Sequence, residues 1–485
     1  MTKLQKMTES EHSPLMRVLF GQSSAASVQP RDLQTTVEWI DPSLNDSQQE
    51  AIRFALASPE IALIHGPPGT GKTHTLIELI LQFIKRGLRL LVCGPSNISV
   101  DNIVERLAPH RVPMVRLGHP ARLLPSVLNH SLEILTRTSD AAALVKDIRN
   151  EMDEKQASIR KTRNGRERKA IYGEMKELRK EYREREQKCI ENLVRESKVV
   201  LATLHGAGGF HLKGQRFDIV IVDEASQALE AQCWVPLLSS GAGKLVLAGD
   251  HLQLPPTIKS TNAKTIKKEK VKEDNIKLET TLFDRMLDLH GDDIKRMLTT
   301  QYRMHEKINA FPSAALYESK LVAAEAVKAR LLTELPYKVE ETEDTKEPLV
   351  FWDTQGGDFP ERTDDDESSK SRSSLLGESK SNEHEAAIVK MHVQNLVNAG
   401  LKPEDVAVVT PYNGQLSILS QLLKEPFQGI ELGSIDGFQG REKEAVIVSL
   451  VRSNPEREVG FLAEKRRLNG ERARTIRQVP KRIPS

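Results

Sequence analysis

Ile61-Ala62-Leu63-Ile64-His65-Gly66-Pro67-Pro68-Gly69-Thr70-Gly71-Lys72-Thr73 is the stretch on which the fold of this chain turns. Its last eight residues satisfy G-x-x-x-x-G-K-[ST], with two prolines in the variable part. The apolar run Ile61–Ile64 ahead of them predicts a buried strand. Behind them Leu76, Ile77, Leu79, Ile80, Phe83 and Ile84 recur at helical spacing and predict an amphipathic helix. A bare glycine-rich turn is the alternative reading, and the flanking strand and helix argue against it. Strand, glycine-rich loop and helix in that order make a phosphate cradle. The glycines let backbone N–H groups turn toward β- and γ-phosphates, and the helix N-terminus adds its positive dipole. Lys72 brings a mobile charge to those phosphates, and the Thr73 hydroxyl is placed to ligate Mg²⁺. The expectation is a nucleoside triphosphate site.

Outward from this loop, strands and helices alternate from Leu44 to about residue 130, with strands at Ile61–Ile64, Leu90–Cys93 and Val112–Leu117. That rhythm belongs to a parallel sheet covered on both faces. It breaks near residue 140. From Glu151 to Ile190, 22 of 40 residues are charged, 13 positive and 9 negative, so the segment carries a net +4. Apolar side chains persist only as a stripe, Val145, Ile148 and Met152, then Ile171, Met175, Leu178 and Tyr182, with Asn164-Gly165 as a turn between. The pattern predicts a helical hairpin inserted in the sheet domain. Its charge suits a solvated face or contact with phosphates, and the sequence leaves both open.

Strands resume at Val199–Ala202, Ile219–Val222 and Lys244–Ala248, each ending where a polar motif begins. Residues 257–280 form a Lys-rich connection, and a second α/β rhythm starts near Leu298 with strands at Val350–Trp352, Val406–Val409 and Val446–Leu450. Residues 355–381, rich in Gly, Asp, Ser and Lys, are expected to be a disordered excursion.

The totals exclude several classes. The net charge of +2 over 485 residues is nearly neutral, so nucleic-acid affinity must come from a local arrangement of charge. Three scattered cysteines, Cys93, Cys189 and Cys233, suggest neither a disulfide framework nor a zinc site and fit a reducing compartment. No apolar run approaches membrane length and the first ten residues hold no signal sequence, so a soluble intracellular chain is expected.

Three motifs carry chemistry beyond the loop. Ile219–Val222 delivers Asp223 and Glu224: Asp223 would hold Mg²⁺, and Glu224, pointing the other way, would orient and deprotonate an attacking water. Leu247-Ala248-Gly249-Asp250-His251-Leu252-Gln253-Leu254-Pro255-Pro256 again ends a strand in polar groups, at the edge where open α/β sheets bind nucleotides. Gln253 could sense the γ-phosphate; a turn closed by prolines explains Pro255 and Pro256 but not Asp250 and Gln253. Pro95-Ser96-Asn97, Thr203, and Tyr412-Asn413 stand at equivalent strand ends and offer small polar groups and N–H donors to the phosphates of a strand. With aromatics at 4%, base readout should be slight.

In this order the motifs resemble those of superfamily 1 helicases of the up-frameshift-like branch, within it most of all the immunoglobulin mu-binding helicases. The matching blocks are Leu44-Asn45-Asp46-Ser47-Gln48, the phosphate loop, Gly94-Pro95-Ser96-Asn97-Ile98-Ser99-Val100-Asp101, Asp223-Glu224-Ala225-Ser226-Gln227, Gly249–Pro256, Gln301-Tyr302-Arg303-Met304-His305, Val409-Thr410-Pro411-Tyr412-Asn413, and Ser434-Ile435-Asp436-Gly437-Phe438-Gln439-Gly440-Arg441-Glu442-Lys443. They cover residues 44 to 469. The resemblance implies an α/β fold of two tandem RecA-like P-loop domains, with ATP in the cleft between them and single-stranded DNA or RNA across their tops. It assigns 44–290 to the first domain, with 141–197 as the helical insertion, and 291–469 to the second.

Further roles follow only from the resemblance. Gln48 would read the adenine edge, Tyr302 would flank the base, and Glu442 would take a ribose hydroxyl. Arg303 would reach the γ-phosphate as an arginine finger. The branch implies 5′-to-3′ movement by a monomer in cytoplasm or nucleus, with ribonucleoprotein or ribosome-associated partners and no membrane. Two rivals remain: an ATPase that remodels without unwinding, and a non-catalytic nucleotide- and strand-binding protein. Family members also carry a barrel and stalk ahead of the first domain, so residues 1–43 are expected to be a stalk remnant. After Asn469 the sequence departs from the family pattern. Residues 470–485 are expected to be a basic tail lacking the closing strand, with Arg474 in register with the family's second catalytic arginine.

Overall fold

Buried on both faces, the strands of a parallel sheet need no polar alternation, and the runs Ile61-Ala62-Leu63-Ile64 and Ile219-Val220-Ile221-Val222 meet that demand with every residue buried. The computed structural model describes residues 2–33, 36–138, 140–161, 164–258, 278–354, 357–363, 380–435, 437–438, 442–454, 458 and 480–482. Most of the Lys-rich connection 257–280, the middle of the excursion 355–381, and Asn469 and Arg474 lie outside the described residues. Among those described, no helix is long and apolar enough to cross a membrane.

The chain divides into two compact units. One holds Met1–His65, Thr73–Gly249 and Pro256–Arg296; the other holds Gly66–Lys72, Asp250–Pro255 and Met297–Ser485. The first is built on a sheet of seven strands: β1 (Ile61–His65), β2 (Leu90–Gly94), β3 (Met114–Leu117), β4 (Val199–Thr203), β5 (Ile219–Val222), β6 (Lys244–Gly249) and β7 (Lys295–Met297). Their order is β3-β4-β2-β5-β6-β1-β7. The pairs β3–β4, β4–β2, β2–β5, β5–β6 and β6–β1 are all parallel. Register fixes what meets at the carboxyl edge: Gly94 sits beside Thr203, Cys93 beside Val222, Val222 beside Leu247, and His65 beside Gly249.

Helices α1 (Pro14–Leu19), α2 (Asp46–Ala57), α3 (Lys72–Lys85), α4 (Asn97–Leu107), α5 (Asp140–Lys161), α6 (Gly165–Glu196), α7 (Glu230–Ser240) and α8 (Leu282–His290) accompany the sheet. The apolar residues Leu15, Val18 and Leu19 lie on α1, capped by the Ser13 hydroxyl. Leu15, Val18 and Leu19 enter the same core as Leu91, Val200 and Phe283, while Phe20 stacks on Trp234 at 5.0 Å. Helices α5 and α6 are the expected hairpin. Lys155 pairs with Glu174 at 2.5 Å and Arg149 Nη1 donates to the Tyr182 hydroxyl at 3.4 Å, contacts whose register runs antiparallel. Asn164 caps α6, its side chain accepting from the Arg166 N–H at 3.0 Å. Ile148 and Met175 are buried along the seam.

In the second unit, β8 (Val406–Thr410) lies between β9 (Glu431–Ser434) and β10 (Ala445–Val448), all parallel. Successive β8 side chains face opposite ways. Val406 and Val408 join Ala386, Val393 and Leu419, from α10 (Glu383–Asn398) and α11 (Asn413–Leu423), which follow α9 (Glu306–Leu316). Ala407 and Val409 join Leu254, Ile435 and Phe438 on the other face.

Two expectations change here. The excursion 355–381 is closed at its ends: Arg362–Thr363 pairs antiparallel with Lys380–Ser381, and half-buried Glu361 takes Lys380 at 2.8 Å and Arg452 at 2.9 Å. Composition suggested disorder throughout, yet one carboxylate shared by two cations holds the flanks. Within the tail, Pro480–Arg482 pairs in parallel with Phe351–Asp353.

Candidate functional site

At the carboxyl edge of the first sheet, chain direction alone brings the expected residues out of β1, β2, β4 and β5. Asp223 directly follows β5, and its N–H donates to the Cys93 carbonyl at 2.8 Å, continuing the ladder by one step. Its carboxylate is buried and accepts the Glu224 N–H at 2.9 Å. Glu224 then adopts φ +53, the left-handed region that side-chain-bearing residues enter at a cost of about 1 kcal/mol or more. This turn swings the second carboxylate off the strand line, where Oε2 accepts from Gln227 Nε2 at 2.7 Å. Two adjacent acids thereby become separately held groups.

Beside them, β2 passes into α4 through a turn that only glycine permits. A Cβ on Gly94 would fall 2.3 Å from the Ser99 hydroxyl. Ser96 is the N-cap of α4: its hydroxyl accepts the Ser99 N–H at 3.1 Å and donates to Ser99 Oγ at 3.3 Å. The Ser96 side chain therefore serves the helix, and the N–H groups of the first helical turn are what this segment offers a phosphate. Thr203, ending β4, accepts the Gly206 N–H at 3.1 Å, and Asn97 stands half-buried next to Ser96.

Gln48 is buried in the first turn of α2 as half of a capping box. Its Oε1 accepts the Asn45 N–H at 3.0 Å, and Asn45 Oδ1 accepts the Gln48 N–H at 3.0 Å. A carbonyl oxygen has two lone pairs, so capping and contact with an adenine amino group are compatible.

The phosphate loop groups with the second unit. Gly69 and Gly71 have φ of +73 and +76. The Gly69 carbonyl accepts the Tyr302 N–H at 2.8 Å, and a Cβ on Gly69 would stand 2.7 Å from the Arg303 Cβ. Gly66 is equally constrained, since a Cβ there would lie 2.9 Å from the Lys72 Cβ. Pro67 accepts from both the N–H and the hydroxyl of buried Thr70, at 3.3 and 2.7 Å, which closes the loop behind Pro68.

The Gln301–Met304 turn is folded around one side chain that the sequence reading passed over. Gln301 is fully buried; its Oε1 accepts the N–H groups of Arg303 at 2.8 Å and Met304 at 2.7 Å, and its Nε2 donates to the Met304 carbonyl at 2.6 Å. Tyr302 is left 45% exposed. Arg303 forms an ion pair with Glu442, so the residues expected to touch γ-phosphate and ribose meet each other.

Gln253 likewise has a support missing from the sequence reading. The buried Asp250 carboxylate accepts from Gln253 Nε2 at 2.7 Å, from the hydroxyl of buried Tyr317 at 2.7 Å and from the Leu252 N–H at 3.1 Å. Tyr317 is 67 residues from Asp250, and no local spacing could have paired them. At the end of β8, Tyr412 is half-buried and Asn413, opening α11, is exposed.

Comparison with known proteins agrees in extent with these motifs. One AAA domain family matches residues 43–261, and a second AAA domain family matches residues 278–479. The two RecA-like domains in tandem expected from the sequence are what these matches describe. DNA polymerase alpha-associated DNA helicase A of Schizosaccharomyces pombe is 50% identical over 469 residues, covering 97% of this chain and 68% of that protein. DNA-binding protein SMUBP-2 of Rattus norvegicus is 45% identical over 480 residues, covering 98% of this chain and 46% of that protein. The regulator of nonsense transcripts 1 homolog of Neurospora crassa is 34% identical over 444 residues, covering 88% of this chain and 36% of that protein. The chain spans less than half the length of the last two.

Proposed function

This chain belongs to the up-frameshift-like branch of superfamily 1 helicases, and from that premise we propose that it hydrolyses ATP to move 5′ to 3′ along single-stranded DNA or RNA and to part duplexes. The observation that carries the reading is the seating of Arg303 against the phosphate loop, where the Gly69 carbonyl takes the Tyr302 N–H and Gly69 has room for no side chain.

The Gly66–Lys72 loop, through the N–H groups of its non-proline residues, and the Lys72 ammonium bind the β- and γ-phosphates. Gln48 and Tyr302 hold the base. Arg303 exchanges Glu442 for the γ-phosphate, and Glu442, released, turns to the ribose. Asp250 orients the Gln253 amide. Glu224, set apart by its left-handed turn, accepts the proton of the attacking water. The Thr73 hydroxyl and the buried Asp223 carboxylate are the hard oxygen donors that Mg²⁺ takes. When bound, the ion would neutralise charge on the phosphates. Pro95-Ser96-Asn97, Thr203, Tyr412 and Asn413 grip the strand through contacts blind to sequence, as sliding requires.

Steady-state ATP hydrolysis by residues 1–485, with and without single-stranded DNA and RNA, tests the reading. Stimulation that disappears in Glu224→Gln is expected, together with unwinding of 5′-tailed but not 3′-tailed duplexes. Turnover without unwinding would favour a remodelling ATPase, and no turnover with strand and nucleotide still bound would favour a non-catalytic binding protein.

A further inference from the structure

Beneath the β2–α4 turn lies a charged pair for which the proposed mechanism has no use. Arg116, in the middle of β3, is 0% exposed, and its partner Asp101 on α4 is 1% exposed. Arg116 Nε donates to Asp101 Oδ1 at 2.7 Å, while the Leu124 N–H donates to Asp101 Oδ2 at 3.0 Å. Arg116 Nη1 donates to the Leu117 carbonyl, and Nη2 donates to Asn97 Oδ1 at 2.9 Å. A buried ion pair is a poor way to stabilise a sheet, since well-packed apolar residues of similar volume often do as well or better. What it can supply is orientation.

The orientation here is specific. A guanidinium has donors and no acceptor, so the amide atom of Asn97 that faces Arg116 must be the oxygen. The NH₂ group is then what Asn97 presents on its other side. Asn97 lines a cavity of about 620 Å³ together with Gly118, His119, Arg122, Thr203 and His205. Gly118 lies close over the guanidinium, where a Cβ would stand 3.1 Å from Arg116 Nη1. Any larger residue there would push on the group that sets the amide.

We propose that Arg116, locked by Asp101, is the positioning residue that holds the Asn97 amide with its NH₂ donating into this cavity, to a phosphate or base oxygen of the bound strand. The assignment rests on the strand-binding reading of this edge.

Fluorescence anisotropy of a labelled oligothymidylate titrated with the full chain tests it. Arg116→Lys, whose single ammonium cannot serve Asp101 and Asn97 in the same geometry, is expected to weaken binding about three- to tenfold. Asn97→Ala is expected to weaken it by a similar factor, and the double variant no further, because both changes remove one donor to the strand. A purely structural role for Arg116 would make the two factors multiply. Asn97→Asp keeps Arg116 paired, and so keeps the fold, but offers the strand only oxygens; it is expected to bind at least tenfold more weakly. Parental affinity in Asn97→Asp, or multiplied factors in the double variant, would overturn the assignment even if Arg116→Lys alone folds poorly. If the parent chain fails to bind the oligonucleotide at all, the strand-binding reading fails first and the assignment falls with it.

Discussion

Arg116 and Arg303 are both arginines paired with a carboxylate, and they live in opposite surroundings. Arg116 and Asp101 are sealed, at 0% and 1% exposure, whereas Arg303 and Glu442 are 22% and 60% exposed. A sealed pair has no exchange partner, because parting it would strand a charge in the interior. A half-open pair is worth little in itself and is easily traded for a better anion. Burial, not residue type, thus separates an arginine suited to setting geometry from one open to exchange of its anion.

The comparison can be broken at either end. Replacing Arg303 by Ala should produce the largest effect, a fall in strand-stimulated kcat of about 10³-fold or more, with little shift in thermal melting. A large loss of stability with modest loss of turnover would reverse the assignment of the two arginines. Replacing Arg116 by Met should cost about 3–5 kcal/mol in urea unfolding, since Asp101 is left buried and unpaired, and adding Asp101→Leu should restore much of it. If the single substitution proves neutral, the sealed pair is not sealed in solution.

Lys244 sharpens the scale between these extremes. Its ammonium lies 5.2 Å from the centre of the Phe83 ring and donates to the Leu56 carbonyl at 3.2 Å. Burial, aided by Arg86 and opposed by Glu60, pulls its pKa down to about 8. Unfolded, the group would titrate near 10.4, so between about pH 8 and 10.4 the unfolded chain binds more protons and stability rises with pH. Comparing urea unfolding of the parent and Lys244→Met at pH 7.5 and pH 10 should show the parent gaining roughly 1–3 kcal/mol on the variant. An unchanged difference would mean that Lys244 is solvated.

Much of this was legible in the sequence, for a physical reason. Loops that hold phosphate use local residues at fixed spacing, so Gly66–Thr73, Asp223-Glu224 and the strands that deliver them could be read directly. Arg116 could not be, because a charged residue within Met114–Leu117 reads as a break in an apolar run, and its partners lie 15 and 19 residues away. Tyr317 was missed for the same reason, its partner Asp250 lying 67 residues away, and Gln301 because it holds backbone groups of its own turn rather than a ligand. Ser96 shows a different limit: spacing could not tell that a helix start would claim its hydroxyl, and a cap contributes whether or not a strand is bound. The excursion 355–381 read as disordered because composition cannot show that Glu361 will find Lys380 and Arg452.

Gln48, finally, binds two inheritances together. Its side chain starts α2 and, on the proposed reading, would also meet the base, which would tie the choice of nucleobase to the fold. A substitution that relaxed the preference for adenine would also fray the helix, whereas Glu, which can still cap, would keep the helix and lose the amide. On that reading, base specificity would change without loss of the helix only through a residue that can still close the capping box, as Glu can.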